Sequence, residues 1–316
     1  MADKSTVRVA VCSRSFSKNP VLRAELMARY DDVTFNDSGV QLEGRDLVAF
    51  LQNHEKAITA LERIDDAVLV QLPELKVIAK YGVGLDMIDM QAMHRHGIHL
   101  GWIGGVNRRS VSEMVISFAI AMLRHFPAAN REVLNGTWRQ HIGGLLSGRT
   151  VGIIGCGYIG KDLVQLLQPW GCTLIANDIL DFPDFYAQNH VKAVGLEELL
   201  CSADIVTLHV PLNESTRNLI DAQRLGLMKS DAIIINAARG GVVDEDALKV
   251  MLLEKRLAAA AFDVFAVEPP QDKELLNLPN FFVTPHIGGS AEEAILAMGR
   301  AAIESLDSMA ITRSLE

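Results

Sequence analysis

Val151-Gly152-Ile153-Ile154-Gly155-Cys156-Gly157-Tyr158-Ile159-Gly160, running on into Lys161-Asp162-Leu163-Val164-Gln165-Leu166-Leu167, is the stretch that decides the fold. Val151 to Ile154 is an apolar run of strand length, and Lys161 to Leu167 alternates like one face of a helix. Between them three glycines follow the spacing G-x-G-x-x-G. Gly155 makes the tight turn out of the strand, and Gly157 lets backbone approach a pyrophosphate. Gly160 lets the helix pack on the strand, and the helix N-terminus faces the phosphate charge. The next apolar run, Cys172 to Asn177, ends at Asp178, where a carboxylate can hold ribose hydroxyls. These residues predict a dinucleotide-binding α/β sheet.

Outward from that motif, strand-like and helix-like segments alternate in both directions, which predicts parallel sheets. Before it lie strands at Val7 to Val11, Val33 to Phe35, Ala57 to Ala60 and Lys76 to Ala79, with helices at Pro20 to Tyr30 and Arg45 to Asn53. Arg14 to Ser17 reads as a loop. Ser110 to His125 reads as a long helix, apolar on most faces, which must be buried between domains or between subunits. After the motif come strands at Ile205 to Leu208, Ala232 to Asn236, Ala258 to Phe262 and Phe281 to Thr284. Helices are expected at Leu196 to Cys201, Ala222 to Met228, Asp244 to Glu254 and Ala291 to Met309. The nucleotide half thus has about six strands, a number that suits a dinucleotide.

Composition narrows the class. A chain of 316 residues suggests about two domains. Its 49% apolar and 22% charged residues are those of an ordinary soluble protein. A net charge of −9 argues against a nucleic-acid surface. The apolar stretch Met114 to Leu123 is too short to span a bilayer, and Met1 to Thr6 has no apolar signal core. Cys12, Cys156, Cys172 and Cys201 form no C-x-x-C pair and read as buried free thiols, with no metal site. The expectation is a cytoplasmic protein with no membrane or nucleic-acid partner.

In open α/β sheets ligands sit beyond the carboxyl ends of strands. The polar residues at those ends are Arg239 after one strand, Asp263 and Glu268 after the next, and His286 after the last. Arg239 can grip a carboxylate in bidentate fashion. His286 can exchange a proton with a hydroxyl or carbonyl oxygen. Glu268 can orient His286 and favour its protonated form, and Asp263 can anchor a cofactor amide. Each alone has a plain structural reading, as a cap, a solvated charge or a packed histidine. Together they form one chemical set, and a nicotinamide would complete it by moving a hydride.

With these residues in view the chain resembles the NAD-dependent D-isomer-specific 2-hydroxyacid dehydrogenases, in their phosphoglycerate dehydrogenase-like branch. The resemblance covers nearly the whole chain. It is carried by Lys80-Tyr81-Gly82-Val83-Gly84-Leu85-Asp86, by Asn107 with Ser110-Val111-Ser112-Glu113, by the glycine motif and by His209-Val210-Pro211-Leu212. It continues in Asn236-Ala237-Ala238-Arg239-Gly240-Gly241, in Phe262-Asp263-Val264-Phe265 through Glu268-Pro269, and in Thr284-Pro285-His286-Ile287-Gly288-Gly289.

The resemblance implies two doubly wound parallel-sheet domains. One is a flavodoxin-like substrate domain, discontinuous, from residues 1–104 and 288–316; the other is a Rossmann NAD-binding domain, 105–287. It implies Arg239, Glu268 and His286 as the catalytic trio. NAD would contact Gly155, Gly157, Tyr158, Ile159, Gly160, Asp178, His209, Val210, Pro211, Thr216, Ala237, Ala238, Arg239, Asp263, His286, Gly288 and Gly289. The substrate would contact Lys80, Val83, Gly84, Arg239 and His286. A homodimer built on the long helix after Asn107 is also implied.

The expected activity is NAD-dependent hydride transfer between a D-2-hydroxy acid and a 2-oxo acid. The alternatives are an NAD(H)-sensing binding protein such as a co-repressor, or a different Rossmann enzyme such as an amino-acid dehydrogenase. The substrate candidates are 3-phosphoglycerate and hydroxypyruvate or glyoxylate. Phosphoglycerate-specific relatives often carry arginines where Thr59 and Lys80 stand, and their C-terminal regulatory domain has no counterpart in these residues. These departures weaken the phosphorylated substrate. Lys80 and Arg139 are the cations to which a second anionic group would fall.

Overall fold

A computed structural model of the chain describes residues 7–307. Met1 to Thr6, and the last two residues of the helix expected to end at Met309, lie outside the described residues. The chain divides into two compact units, one of residues up to Asn107 and from Glu292 on, the other Arg108–Ala291.

The first unit holds a parallel sheet of β1 (Val9–Val11), β2 (Val33–Phe35), β3 (Lys56–Thr59), β4 (Val77–Lys80) and β5 (His99–Gly101). Their order is β2-β1-β3-β4-β5, the flavodoxin-like order, which reverses between β1 and β3. Val9 and Val11 face a cluster with Phe16, Leu22, Leu26 and Ile303; Ala10 faces another with Leu47, Leu51 and Ile64. Both faces of β1 are covered, so it is apolar throughout rather than alternating, whereas Thr34 of the edge strand β2 is exposed. Arg14–Lys18, expected as a loop, is a short helix. Ser13 caps it by accepting the Phe16 N–H, and Phe16 and Ser17 are buried beneath it.

The second unit holds β6 (Thr150–Ile154), β7 (Thr173–Asn177), β8 (Val191–Ala193), β9 (Ile205–Leu208), β10 (Ile233–Asn236), β11 (Ala259–Phe262) and β12 (Phe281–Val283). All are parallel, in the order β12-β11-β10-β9-β6-β7-β8. The sheet has seven strands where six were expected. The seventh, β8, is an edge strand with Lys192 and Ala193 exposed, so it lacks the apolar run that marks the others. Strand residues alternate between two cores: Ile153, Ile235 and Ala261 face one, Val206, Ile234 and Ala260 the other.

The long helix is Arg108–Leu123, and its apolar width is absorbed inside its own unit. Val111, Val115, Phe118, Ala119 and Met122 pack into the cluster around Ile153 and Ile235. Exposed apolar side chains follow it instead, on the helix Phe126–Leu134 and the stretch beyond: Leu134 is 77% exposed, Trp138 84% and Ile142 96%. No single helix among the described residues is long and apolar enough to cross a membrane. The cysteines are free thiols, but Cys201 is exposed and Cys172 half-buried, against the expectation that all are buried. Cys201 lies on the helix Leu196–Ser202, whose inward residues are Leu199 and Leu200.

Candidate active site

The glycine motif fits a dinucleotide at each of its three positions. Gly155 has φ +91°, and a Cβ there would lie 2.6 Å from the His209 carbonyl oxygen. A Cβ on Gly160 would lie 2.4 Å from the Gly155 carbonyl oxygen, so only glycine lets the helix Tyr158–Leu167 sit this close to β6. Around Gly157 there is open space, where backbone can receive phosphate. Asp178 stands at the end of β7 and accepts the Cys156 N–H at 2.5 Å and the Leu180 N–H at 2.9 Å. A carboxylate has about four acceptor sites, so two remain for ribose hydroxyls. Cys156 is buried, and burial pushes its thiol up to about 11, which keeps it a neutral packing group.

The floor of this loop is tied to β9. The His209 N–H donates to Ile154 C=O at 2.7 Å, and His209 Nε2 lies 3.0 Å from Thr207 Oγ1. Its Nδ1 is buried without a hydrogen-bond partner. Burial pushes the imidazole down to about 3, so it is neutral. Thr216 donates to Pro211 C=O at 2.6 Å, closing the turn after Val210.

At the end of β10 the buried Asn236 shapes the turn that carries Arg239. Its side chain accepts the Ala238 N–H at 3.1 Å and donates to Arg239 C=O at 2.9 Å. Arg239 donates to Ala238 C=O at 2.7 Å and is half-buried. A Cβ on Gly240 would fall 1.8 Å from the Phe265 carbonyl carbon, so the Arg239 turn and the turn after β11 are in backbone contact. In that second turn Glu268 accepts the Phe265 N–H at 3.1 Å and lies 2.9 Å from His286 Nδ1. Glu245, which opens the helix Glu245–Leu253, accepts the Ala266 N–H at 2.7 Å, and burial pushes its carboxyl up. Glu268 and His286 therefore meet as expected from their strand ends. Nδ1 is turned to the carboxylate, and Nε2 is the ring nitrogen on the opposite side of the imidazole.

Glu245 is not marked in the sequence, and Asn236 stands there only as the first residue of the Arg239 motif, with no role given to it. Asn236 had a readable signal, an asparagine closing a strand before Ala-Ala-Arg. Glu245 looks like an ordinary acidic residue in a first helical turn. The pair Arg109 and Asp162 was also missed: Arg109 grips the buried Asp162 with two bonds of 2.9 Å, joining the helix Arg108–Leu123 to the glycine-motif helix.

In the first unit Lys80 ends β4 and is 6% exposed; its ammonium donates to Ala60 C=O. Glu62, also buried, accepts the Ala60 N–H at 2.6 Å, and the Thr59 hydroxyl is buried without a partner. Gly82 has φ +125° and opens the segment Val83-Gly84, where Val83 C=O accepts Trp102 Nε1–H at 3.1 Å. In the second unit Arg139 donates to Glu132, which also lies 2.8 Å from His141 Nε2.

Residues 116–288 match the family model described as D-isomer specific 2-hydroxyacid dehydrogenase, NAD binding domain. A D-3-phosphoglycerate dehydrogenase of Methanocaldococcus jannaschii is 38% identical over 76% of this chain and 46% of its own length. The chain thus spans about half the length of the first curated relatives it matches. A hydroxypyruvate reductase of Thermotoga maritima is 38% identical over 73% of this chain and 76% of its own length. Among solved structures, the pyruvate reductase of Chlamydomonas reinhardtii is 28% identical, with a TM-score of 0.80, covering 95% of both chains. The motif, the strand order and these matches agree, and the chain belongs to the D-isomer-specific 2-hydroxyacid dehydrogenase family, with its second unit as the NAD-binding domain.

Proposed function

We propose that this protein is an NAD-dependent oxidoreductase that interconverts a D-2-hydroxy acid and a 2-oxo acid. The observation that carries the proposal is the 2.9 Å pair of Glu268 and His286 Nδ1, in the same unit as the glycine motif. When bound, the nicotinamide would supply or take up the hydride. The chain's own groups do the rest. In reduction His286 Nε2 gives a proton to the carbonyl oxygen, and in oxidation it takes that proton from the hydroxyl. Glu268 holds the imidazole in orientation and balances its positive charge. Arg239 grips the substrate carboxylate with its planar fork. Asp178, acceptor-only and followed by the apolar Ile179 and Leu180, favours a ribose hydroxyl over a 2′-phosphate.

The substrate we favour is a small acid without a second charge, such as hydroxypyruvate or glyoxylate. Both cations considered for a phosphate are engaged within their own units, Lys80 with Ala60 C=O and Arg139 with Glu132. We also propose a homodimer, with the apolar segment from Phe126 to Leu145 as its contact rather than the buried helix before it. The free thiols fit a reducing compartment such as the cytoplasm.

The test is NADH consumption by the purified chain with glyoxylate, hydroxypyruvate, pyruvate and phosphohydroxypyruvate. Turnover of an unphosphorylated acid to its D-hydroxy product is expected. Tight NADH binding with no turnover of any acid would leave a nucleotide-sensing protein as the reading. A monomer at micromolar concentration would remove the dimer.

A further inference from the structure

We propose that Asp263 is a positioning residue for His286: its carboxylate holds the Thr284 hydroxyl before, and the Ile287 and Gly288 amides after, the imidazole that transfers the proton. The inference rests on His286 being the acid/base. Asp263 directly follows β11, and its N–H donates to Asn236 C=O at 2.9 Å, so its place is set by the neighbouring strand. It is 1% exposed. Its own carbonyl accepts the His286 N–H at 2.9 Å. Its carboxylate reaches past His286: Oδ1 accepts the Ile287 N–H at 2.8 Å and the Thr284 hydroxyl, and Oδ2 accepts the Gly288 N–H at 2.7 Å. The residues before and after His286 are therefore gripped by one side chain.

His286 needs such a grip. Its φ is +54°, a left-handed backbone that side chains other than glycine rarely adopt. Strained backbone of this kind persists only where its surroundings over-determine it. The three bonds to the Asp263 carboxylate and the one to its carbonyl supply that. They also explain why the carboxylate can be buried, since three donors stabilise its negative charge where water does not reach. Gly288 completes the fit, because a Cβ there would lie 3.0 Å from Asp263 Oδ2. Only about one of the four acceptor sites of the carboxylate is left for a cofactor amide. A residue serving chiefly as an amide anchor would keep more of its lone pairs outward.

The experiment compares Asp263→Asn, Thr284→Val and Thr284→Ser with wild type, after wild type has been shown to turn over a 2-oxo acid. Asparagine keeps the shape but turns an N–H2 toward the donor amides. At saturating NADH we expect Asp263→Asn to lower kcat roughly tenfold to a hundredfold, the range for a misplaced catalytic group. Its NADH Kd, read by fluorescence, stays within about twofold. Thr284→Val lowers kcat in the same direction by a few-fold, and Thr284→Ser, which keeps the hydroxyl, restores it. Hydrogen exchange of the Ile287 and Gly288 amides, measured without substrate, is faster in Asp263→Asn. A variant with weakened NADH binding, unchanged kcat and unchanged amide exchange would overturn the proposal and leave Asp263 as a cofactor anchor. If Asp263→Asn does not fold, a kcat equal in wild type and Thr284→Val overturns it instead. Failure of the proposed function looks different, because wild type itself then shows no turnover while the amide exchange still responds.

Discussion

At the carboxyl edge of the second sheet His286 and Glu268 pair with 49% and 38% of their side chains exposed. At the carboxyl edge of the first sheet Glu62 and Lys80 are 4% and 6% exposed, and each is bonded to the backbone of Ala60. Both edges end apolar strands in charged residues, so the same sequence pattern produced two different outcomes. The acid/base role proposed for His286 needs access to solvent or substrate, and its exposure is compatible with that. A buried charge is tolerated only where donors or acceptors of the fold satisfy it, and it then acts on the fold. Asp263 and Asp162 follow the second rule inside the second unit.

The sharpest way to break this comparison is His286→Ala. Turnover should fall by about two to four orders of magnitude with NADH binding retained. A loss of less than tenfold would remove the exposed pair from the chemistry. Glu268→Gln should cost less, because the imidazole remains in place. Arg239→Lys should lower kcat/KM roughly tenfold or more, since a point ammonium cannot copy the fork. Equal kinetics with lysine there would mean that Arg239 does not grip a carboxylate.

A second test addresses Asp178. Catalytic efficiency with NAD should exceed that with NADP by roughly tenfold or more, from like charge against a 2′-phosphate. Asp178→Ala should narrow the gap; similar efficiencies in wild type would sink this role.

Lys80→Met probes the opposite edge. It should leave Ala60 C=O unpaired and lower stability by about 1–2 kcal/mol. KM for phosphorylated and unphosphorylated 2-oxo acids should change in parallel. A selective rise for the phosphorylated acid would return Lys80 to substrate binding and blur the distinction between the edges.

The last effect appears only on acidification. His209 is held near 3 by burial, below its ordinary value of 6.5. The unfolded chain therefore binds this proton more readily, so stability is full above about pH 6.5 and declines as pH falls toward 3. His209→Asn should flatten that part of the stability curve in chemical denaturation; an unchanged slope would place the acid sensitivity elsewhere.

Much of this protein is legible in its residues alone. Runs such as Ile205 to Leu208 and Ala232 to Asn236 are apolar because both faces of a parallel sheet are covered, so they announce themselves as strands. The glycine spacing with Asp178 identifies a dinucleotide loop because Gly155 and Gly160 answer local steric demands and Gly157 leaves its surroundings open for phosphate. Polar residues at strand ends point to the chemistry, since strand ends are where α/β ligands sit. Short-range sterics and continuous apolar runs lie within a few residues of each other, and a single chain displays them directly.

Tertiary structure decided everything that depends on what a residue meets across the fold. The edge strand β8, the helix after Ser13 and the exposure of Cys201 carry no distinctive local pattern. The helix Arg108–Leu123 looked apolar enough to need a partner, yet its own sheet consumes that surface. Lys80 and Arg239 read alike as cations at strand ends, and the fold buries Lys80 while leaving Arg239 half-buried. Asp263 reads as a cofactor ligand, and no local pattern announces that Ile287 and Gly288, more than twenty residues away, donate to its carboxylate. Desolvation and hydrogen-bond geometry are properties of the assembled interior, and the sequence records only the groups that will have to satisfy them.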